Sequence, residues 1–231
     1  MTNKPSCWAV VPAAGVGKRM QADRPKQYLP LLGQTVIEHT LQRLLASDAF
    51  QAIAVAISVD DPYWPELAIA HHPAVITAPG GKERSDSVLS ALQALEDKAS
   101  DQDWVLVHDA ARPCITREDI HLLLERLDQH PVGGILALSS HDTLKQVDGN
   151  NIVLTVNRQR IWRALTPQMF RYGMLRSALQ QTEGNPAVTD EASALELLGF
   201  KPGIVEGRAD NIKITRPEDL ALAAFYMEQQ A

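Results

Sequence analysis

Gly15 and Gly17 stand in the segment Ala13-Ala14-Gly15-Val16-Gly17-Lys18-Arg19-Met20, directly behind the apolar run Cys7-Trp8-Ala9-Val10-Val11. Glycines at a turn leaving a buried strand let backbone N–H groups approach an anion closely. Lys18, Arg19, Arg24 and Lys26 follow, a cluster of cations in a chain whose formal net charge is −6. That local excess calls for an anionic partner, and a nucleoside triphosphate is the natural candidate. Spacing excludes two common phosphate loops. A P-loop sets its first glycine further from a Gly-Lys-Ser/Thr, and the dinucleotide fingerprint needs a third small residue where Met20 stands. A lone Gly-x-Gly also fits an ordinary tight turn. The cations and Pro25-Lys26-Gln27 favour phosphate.

Two further polar segments follow apolar runs. Pro79-Gly80-Gly81-Lys82-Glu83-Arg84-Ser85-Asp86-Ser87 joins paired glycines to a helix start, where backbone N–H groups bind an anion or read the edge of a base. Turn formation and helix capping by Ser85, Asp86 or Ser87 explain the same residues. Asp109 ends the buried run Val105-Leu106-Val107-His108, where an uncompensated carboxylate is costly. A divalent cation, sugar hydroxyls or a salt bridge to Arg112 would each compensate it, and the functional readings are favoured. His108 reads as a packed structural residue.

These segments need strands to position them. Apolar runs at 52–58, 74–77, 104–108 and 134–138 alternate with helical spacing at 36–45, 85–95 and 116–129, the pattern of a layered α/β domain. In an open α/β sheet, ligands bind beyond the carboxyl ends of the strands, so the three polar segments converge on one edge. Helices are expected at 171–181 and 190–198, strands at 202–205 and 212–214, and a closing helix capped by Thr215-Arg216-Pro217-Glu218. The rhythm breaks once. Thr143-Leu144-Lys145-Gln146-Val147 and Ile152-Val153-Leu154-Thr155-Val156 flank Asp148-Gly149-Asn150-Asn151, a strong hairpin signal. An isolated pair of strands is marginal in water, so this arm packs on its own domain or, slightly favoured, on a partner subunit.

Composition sets outer bounds. With 231 residues, 45% of them hydrophobic and 22% charged, the chain suits one domain, 1–231, with an arm at about 141–158. The acidic balance argues against nucleic-acid partners. Cys7 and Cys114 are the only cysteines, which makes a disulfide framework improbable and a cytoplasmic home natural. No apolar segment approaches membrane-spanning length, so no membrane partner is expected.

Taken together, the blocks resemble the 2-C-methyl-D-erythritol 4-phosphate cytidylyltransferase family. The resemblance is carried by Ala13 to Met20 with Pro25-Lys26-Gln27-Tyr28, by Gly80-Gly81-x-x-Arg84-x-x-Ser87-Val88, and by His108-Asp109-Ala110-Ala111-Arg112-Pro113. It continues through Ala164-Leu165-Thr166-Pro167-Gln168, Thr189-Asp190-Glu191-Ala192 and Asn211-Ile212-Lys213-Ile214-Thr215, in family order over nearly the whole chain. It implies a Rossmann-like three-layer nucleotidyltransferase core with a protruding β-hairpin arm, and homodimers whose arms interlock. It also implies transfer of a cytidylyl group from CTP to methylerythritol phosphate, with release of pyrophosphate, in non-mevalonate isoprenoid biosynthesis. A ribitol 5-phosphate cytidylyltransferase and a non-catalytic nucleotide-binding regulator are the competing readings.

On that resemblance, Arg19 and Lys26 hold the triphosphate, and Mg2+ or another divalent cation near Asp109 shares the charge. Ala13, Ala14 and Gly15 contact the nucleotide through the main chain beside Ala110, while Gly81 and Ser87 read cytosine. Arg112, Thr143, Arg158, Thr166, Thr189 and Lys213 fall to the polyol phosphate, with Lys213 counted among the catalytic cations. Arg158, just past the arm, is placed to serve a neighbouring subunit. Lys82 stands where some relatives carry Asp, so no ribose contact is assigned to it.

Overall fold

The structure is a computed structural model and describes residues 5–15, 20 and 22–230. Gly17, Lys18 and Arg19, the last an expected triphosphate ligand, lie outside the described residues. The chain runs β1 (Cys7–Pro12), β2 (Pro30–Leu31), β3 (Gln34–Thr35), α1 (Val36–Ala46), β4 (Ile53–Ile57), β5 (Val75–Pro79) and α2 (Arg84–Gln93). It continues through β6 (Trp104–Val107), α3 (Arg117–Leu127), β7 (Gly133–Ser139), β8 (Leu144–Asp148), β9 (Asn151–Val156) and β10 (Trp162–Arg171). It closes with α4 (Tyr172–Gln181), α5 (Glu191–Leu197), β11 (Gly203–Glu206) and α6 (Glu218–Gln229).

A seven-stranded sheet in the order β11-β7-β10-β6-β1-β4-β5 forms the middle layer. Its neighbours pair in parallel, except that β10 is antiparallel to both β6 and β7. Strand alternation divides the apolar runs between two cores. Ala9, Val11, Ile53, Val55 and Leu106 face α1 and α3. Trp8, Val10, Ala54, Ala56, Val105 and Val107 face α2, α4 and α5. Both faces are covered, which is why these strands read as continuous apolar runs. From β1 the chain builds outward through β4 and β5, then returns to β6 on the other flank of β1. The crevice between the ends of β1 and β6 is therefore the topological switch point, where open sheets bind ligands.

Three expectations need correction. Residues 212–214 form no strand; Ile214 N donates to Ala111 O at 2.8 Å, and the segment crosses the strand ends without a ladder. The cap of α6 is shifted by one position: the Asp219 carboxylate, not Glu218, accepts from Thr215 N and Thr215 Oγ1. The long strand β10 was not anticipated. Pro167 lies inside it and has no N–H for a ladder, and the pairing with β7 shifts register between Ala164 and Gln168.

The hairpin forms as expected, with β8 and β9 as a separate two-stranded sheet. Val147, Ile152, Val153 and Leu154 on it are exposed. Among the described residues, no helix is long and apolar enough to cross a membrane.

Candidate active site

The carboxyl ends of β1 and β6 and the start of α2 enclose a cavity of about 360 Å³. It is lined by Ala13, Ala14, Gly15, Lys26, Gly81, Ser87, Asp109, Ala110 and Lys213, all expected site residues, and also by Lys82, Glu83, Arg84 and Thr215. Local chemistry explains how the walls hold their shape. Gln27 is buried and its Nε2 donates to Ala13 O at 2.6 Å, which ties the descending loop to the end of β1. Among the described residues, a Cβ at Gly15 would meet nothing within 4 Å, so their packing gives no reason for glycine there. A Cβ at Gly80 would fall 2.2 Å from Ala14 Cβ, so the two walls approach only because Gly80 lacks a side chain. Ser87 Oγ accepts from Gly81 N at 3.0 Å and donates to Glu83 O at 3.2 Å, and so fixes the turn. The N-cap of α2 is Glu83, not Ser85, Asp86 or Ser87; Asp86, three residues on, accepts from Glu83 N at 2.9 Å and closes the capping box.

Asp109 is the electrostatic centre. Its Oδ1 meets Arg84 Nε at 3.1 Å, and its Oδ2 meets Lys213 Nζ at 2.8 Å and Arg112 Nε at 3.5 Å. Burial alone would push the carboxyl up; Arg84, Lys213 and Arg112 together hold it well below the usual carboxylate range. Arg84 also forks onto Glu191, NH1 to Oε1 at 2.5 Å and NH2 to Oε2 at 3.2 Å. Burial lowers the Arg84 guanidinium, and the charges of Glu191 and Asp109 more than reverse that, leaving it raised. Lys26 is half-buried, and its ammonium donates to Ile214 O at 2.8 Å. Strand-end segments after β1, β6 and β11 thus supply Lys26, Asp109 and Lys213 to one hollow.

His108 organises the floor. Its Nε2 lies 3.1 Å from Arg112 O, a pure acceptor, so Nε2 carries the proton. Nδ1 then accepts from Thr166 Oγ1 at 3.2 Å, and Thr166 Oγ1 accepts from Asp109 N at 3.1 Å. Burial drives the imidazole pKa down to about 4, so the ring stays neutral. The chain of bonds is closed. The structural role expected for His108 holds, and it extends to fixing the backbone of Asp109.

The expectation of a divalent cation at Asp109 rested on an uncompensated carboxylate. That premise falls, because three cations already surround it. Among the described residues, no group of three or more His, Cys, Asp or Glu side chains could hold a metal ion. The residues present therefore do not fit a protein-borne metal centre.

The remaining expected residues are not gathered into this cavity. Arg112 is buried, and NH1 donates to Asn211 O at 2.7 Å. Thr166 is buried in the floor. Thr189 is exposed and lines a neighbouring hollow of about 610 Å³, which shares Lys82, Glu83 and Arg84 with the first. Thr143 and Arg158 are exposed at the two feet of the arm, where Arg158 NH1 donates to His141 O. The site residues that sequence reasoning missed are Arg84 and Glu191. Arg84 was visible as a cation in the first turn of a helix, where the macrodipole opposes it. Glu191 was visible as an acid three and four residues before Ala194 and Leu195, on the buried face of α5.

Comparison with known proteins follows the same lines. The family model of 2-C-methyl-D-erythritol 4-phosphate cytidylyltransferase matches residues 7–229. The chain belongs to that family. A 2-C-methyl-D-erythritol 4-phosphate cytidylyltransferase from Pseudomonas putida (strain GB-1) is 57% identical over 219 residues, covering 94% of this chain and 93% of the relative. One from Vibrio vulnificus (strain CMCP6) is 54% identical over 224 residues, covering 96% and 94%. The crystal structure of the Francisella tularensis 2-C-methyl-D-erythritol 4-phosphate cytidylyltransferase superposes with a TM-score of 0.84 at 39% identity, covering 96% of this chain and 99% of that one. The cytidylyltransferase family resemblance and the α/β nucleotidyltransferase core expected from sequence both hold. Membership also explains why the strand-end segments, scattered in sequence, share one edge.

Proposed function

We propose that this chain transfers the cytidylyl group of CTP to 2-C-methyl-D-erythritol 4-phosphate, giving 4-diphosphocytidyl-2-C-methyl-D-erythritol and pyrophosphate for isoprenoid biosynthesis. One observation carries the reading: Lys26, Lys213 and a three-cation cluster on Asp109 line or underlie a single cavity at the switch point. An acceptor phosphate oxygen attacks the α-phosphorus of CTP, the new P–O bond forms, and the bond to the β-phosphate oxygen breaks. Both reactants are anions. Unit charges ~4 Å apart repel by roughly 4 kcal/mol at an effective dielectric of 20. Fixed cations offset that repulsion and bind charge as it gathers on the α-phosphate and the departing pyrophosphate. No covalent protein intermediate is needed, and a phosphate dianion needs no general base.

In this scheme Lys26 and Lys213 take the phosphates, with Arg19 assigned to the same task. The N–H groups of Ala14 and Gly15 and the wall at Ala13 and Ala110 hold the nucleotide. Gly81 N already donates to Ser87, so the Gly81 carbonyl is assigned as the acceptor for the cytosine amino group. Ser87 Oγ–H turns from Glu83 O to the ring carbonyl. No step is assigned to a divalent cation, and none to Asp109 as its ligand.

The polyol phosphate is assigned to Thr189 and to the arm's Thr143 and Arg158, with Arg112 and Thr166 supporting from below. Both arm residues belong to the partner's site if the exposed apolar side chains Val147, Ile152, Val153 and Leu154 are covered by a second copy of this chain. A homodimer, a single domain spanning the chain and a cytoplasmic location complete the proposal; the free, buried Cys7 and Cys114 agree with the last. Pyrophosphate release from CTP, measured with methylerythritol phosphate and with ribitol 5-phosphate, tests it. Preference for ribitol phosphate would overturn the acceptor assignment, and CTP binding without turnover of either would favour a regulator.

A further inference from the structure

Glu191 has 1% of its surface exposed, and no step above uses it. It opens α5, whose first turn is pinned to β10: Gln168 Nε2 donates to Asp190 Oδ2 at 2.8 Å, and Ala192 N donates to Gln168 Oε1 at 3.0 Å. The carboxylate therefore projects from a rigid post. Opposite it stands Arg84, in the first turn of α2, where the helix dipole disfavours a cation. Both terminal nitrogens of Arg84 bind Glu191, at 2.5 Å and 3.2 Å, which leaves Nε for Asp109 Oδ1 at 3.1 Å. The fork is planar, so seating two nitrogens on Glu191 fixes where the third points. With Oδ1 held by Arg84, Asp109 presents Oδ2 to Lys213 at 2.8 Å. One buried carboxylate thus sets the order of three charges along the cavity wall.

We infer that Glu191 is a positioning residue for the transfer reaction, acting through Arg84 to set the orientation of Asp109 and Lys213 toward the nucleotide. This rests on the function proposed above. A merely structural ion pair between α2 and α5 predicts something else: loss of stability upon its removal, with turnover per folded molecule unchanged.

A double-mutant cycle separates the two. Glu191→Gln keeps the shape and one acceptor but removes the charge; Arg84→Met keeps the length and removes the fork. Wild type, both single variants and the double variant are assayed for kcat, KM for CTP and thermal unfolding. Misplacing a reacting group by an ångström costs up to about a hundredfold, so Glu191→Gln is expected to lower kcat by at least about tenfold while the protein stays folded. In the Arg84→Met background the same change is expected to cost less than about twofold, because its target is gone. Losses that multiply, or wild-type kcat in Glu191→Gln, overturn the inference. If Arg84→Met does not fold, Glu191→Asp decides: the charge stays and the fork is withdrawn, so reduced kcat supports positioning and unchanged kcat contradicts it. An active wild type with multiplying losses sinks this inference alone; a wild type that releases no pyrophosphate sinks the functional reading and this with it.

Discussion

The cluster around Asp109 and the arm from β8 to β9 lie at opposite extremes of the same chain. In the cluster, the Asp109 carboxylate draws Arg84, Arg112 and Lys213 together, and the hydrogen bonds of His108 and Thr166 tie it to the sheet; Arg112 Nε is buried with no hydrogen-bond partner among the described residues. In the arm, two strands carry Val147, Ile152, Val153 and Leu154 into solvent at 59%, 63%, 57% and 46% exposure. Two strands without a covering layer are marginal in water. The first region is held together by contacts within one chain, whereas the second leaves apolar side chains uncovered by it. Preorganisation accounts for the contrast: charges that must act on a triphosphate gain from being fixed in advance, while an apolar surface gains nothing until it is covered.

That difference predicts how each region responds to a single change. Asp109→Asn is expected to have the largest effect, because it strands the guanidinium of Arg112 in a buried setting with Arg84 and Lys213 beside it. Removing one partner of a buried pair costs about 3–5 kcal/mol, which chemical denaturation would read; a loss under about 1 kcal/mol would show that the cluster is not self-supporting. Lys26→Ala comes next. It is expected to lower kcat by about a hundredfold or more, a far larger effect than the loss of its hydrogen bond to Ile214 O has on stability. Unchanged turnover would remove Lys26 from the site.

His108 provides a pH test of the same region. Its pKa falls from 6.5 to about 4 on folding, so below the higher value the unfolded chain takes a proton that the buried ring refuses. Stability falls as pH drops through that window and levels off below it, by about 3 kcal/mol in all at about 1.4 kcal/mol per pKa unit. Asp109, whose carboxyl is depressed, loses its contribution only at still lower pH. Unfolding curves at about pH 7.5 and about pH 5 are expected to converge in His108→Gln relative to wild type; an identical pH slope would mean that the ring is not buried neutral. The smallest effect on the fold belongs to the arm. Val153→Lys is expected to shift stability by less than about 0.5 kcal/mol yet to break the proposed arm-mediated dimer, leaving a monomer in sedimentation where the unaltered chain sediments as a dimer. A variant that stays dimeric would mean that the arm is covered otherwise.

Legibility in the sequence followed this divide. Strands β1, β4, β6 and β7 and helices α1 to α5 were readable because both sheet faces are buried and each helix has one apolar stripe. The convergence of Ala13 to Gly15, Lys26, Gly81 to Ser87 and Asp109 was readable from strand-end logic alone. What was not readable depends on packing between distant segments. Pro167 hid β10, since its tolerance there comes from a register shift against β7. The compensation of Asp109 by Arg84 and Lys213 joins residues 25 and 104 positions away, which no local spacing reveals; Arg112, three residues on, was the one partner in view. The helical spacing of Glu191 with Ala194 and Leu195 showed its buried face, but its partner Arg84 lies 107 positions away, beyond any local spacing.

The central claim is that fixed charges at the switch point receive the triphosphate of CTP. A crystal structure with CTP bound tests it most directly. The expected result is the triphosphate between Lys26 and Lys213, with cytosine against Gly81 and Ser87. Nucleotide bound elsewhere, with this cavity left vacant at saturating CTP, would contradict it.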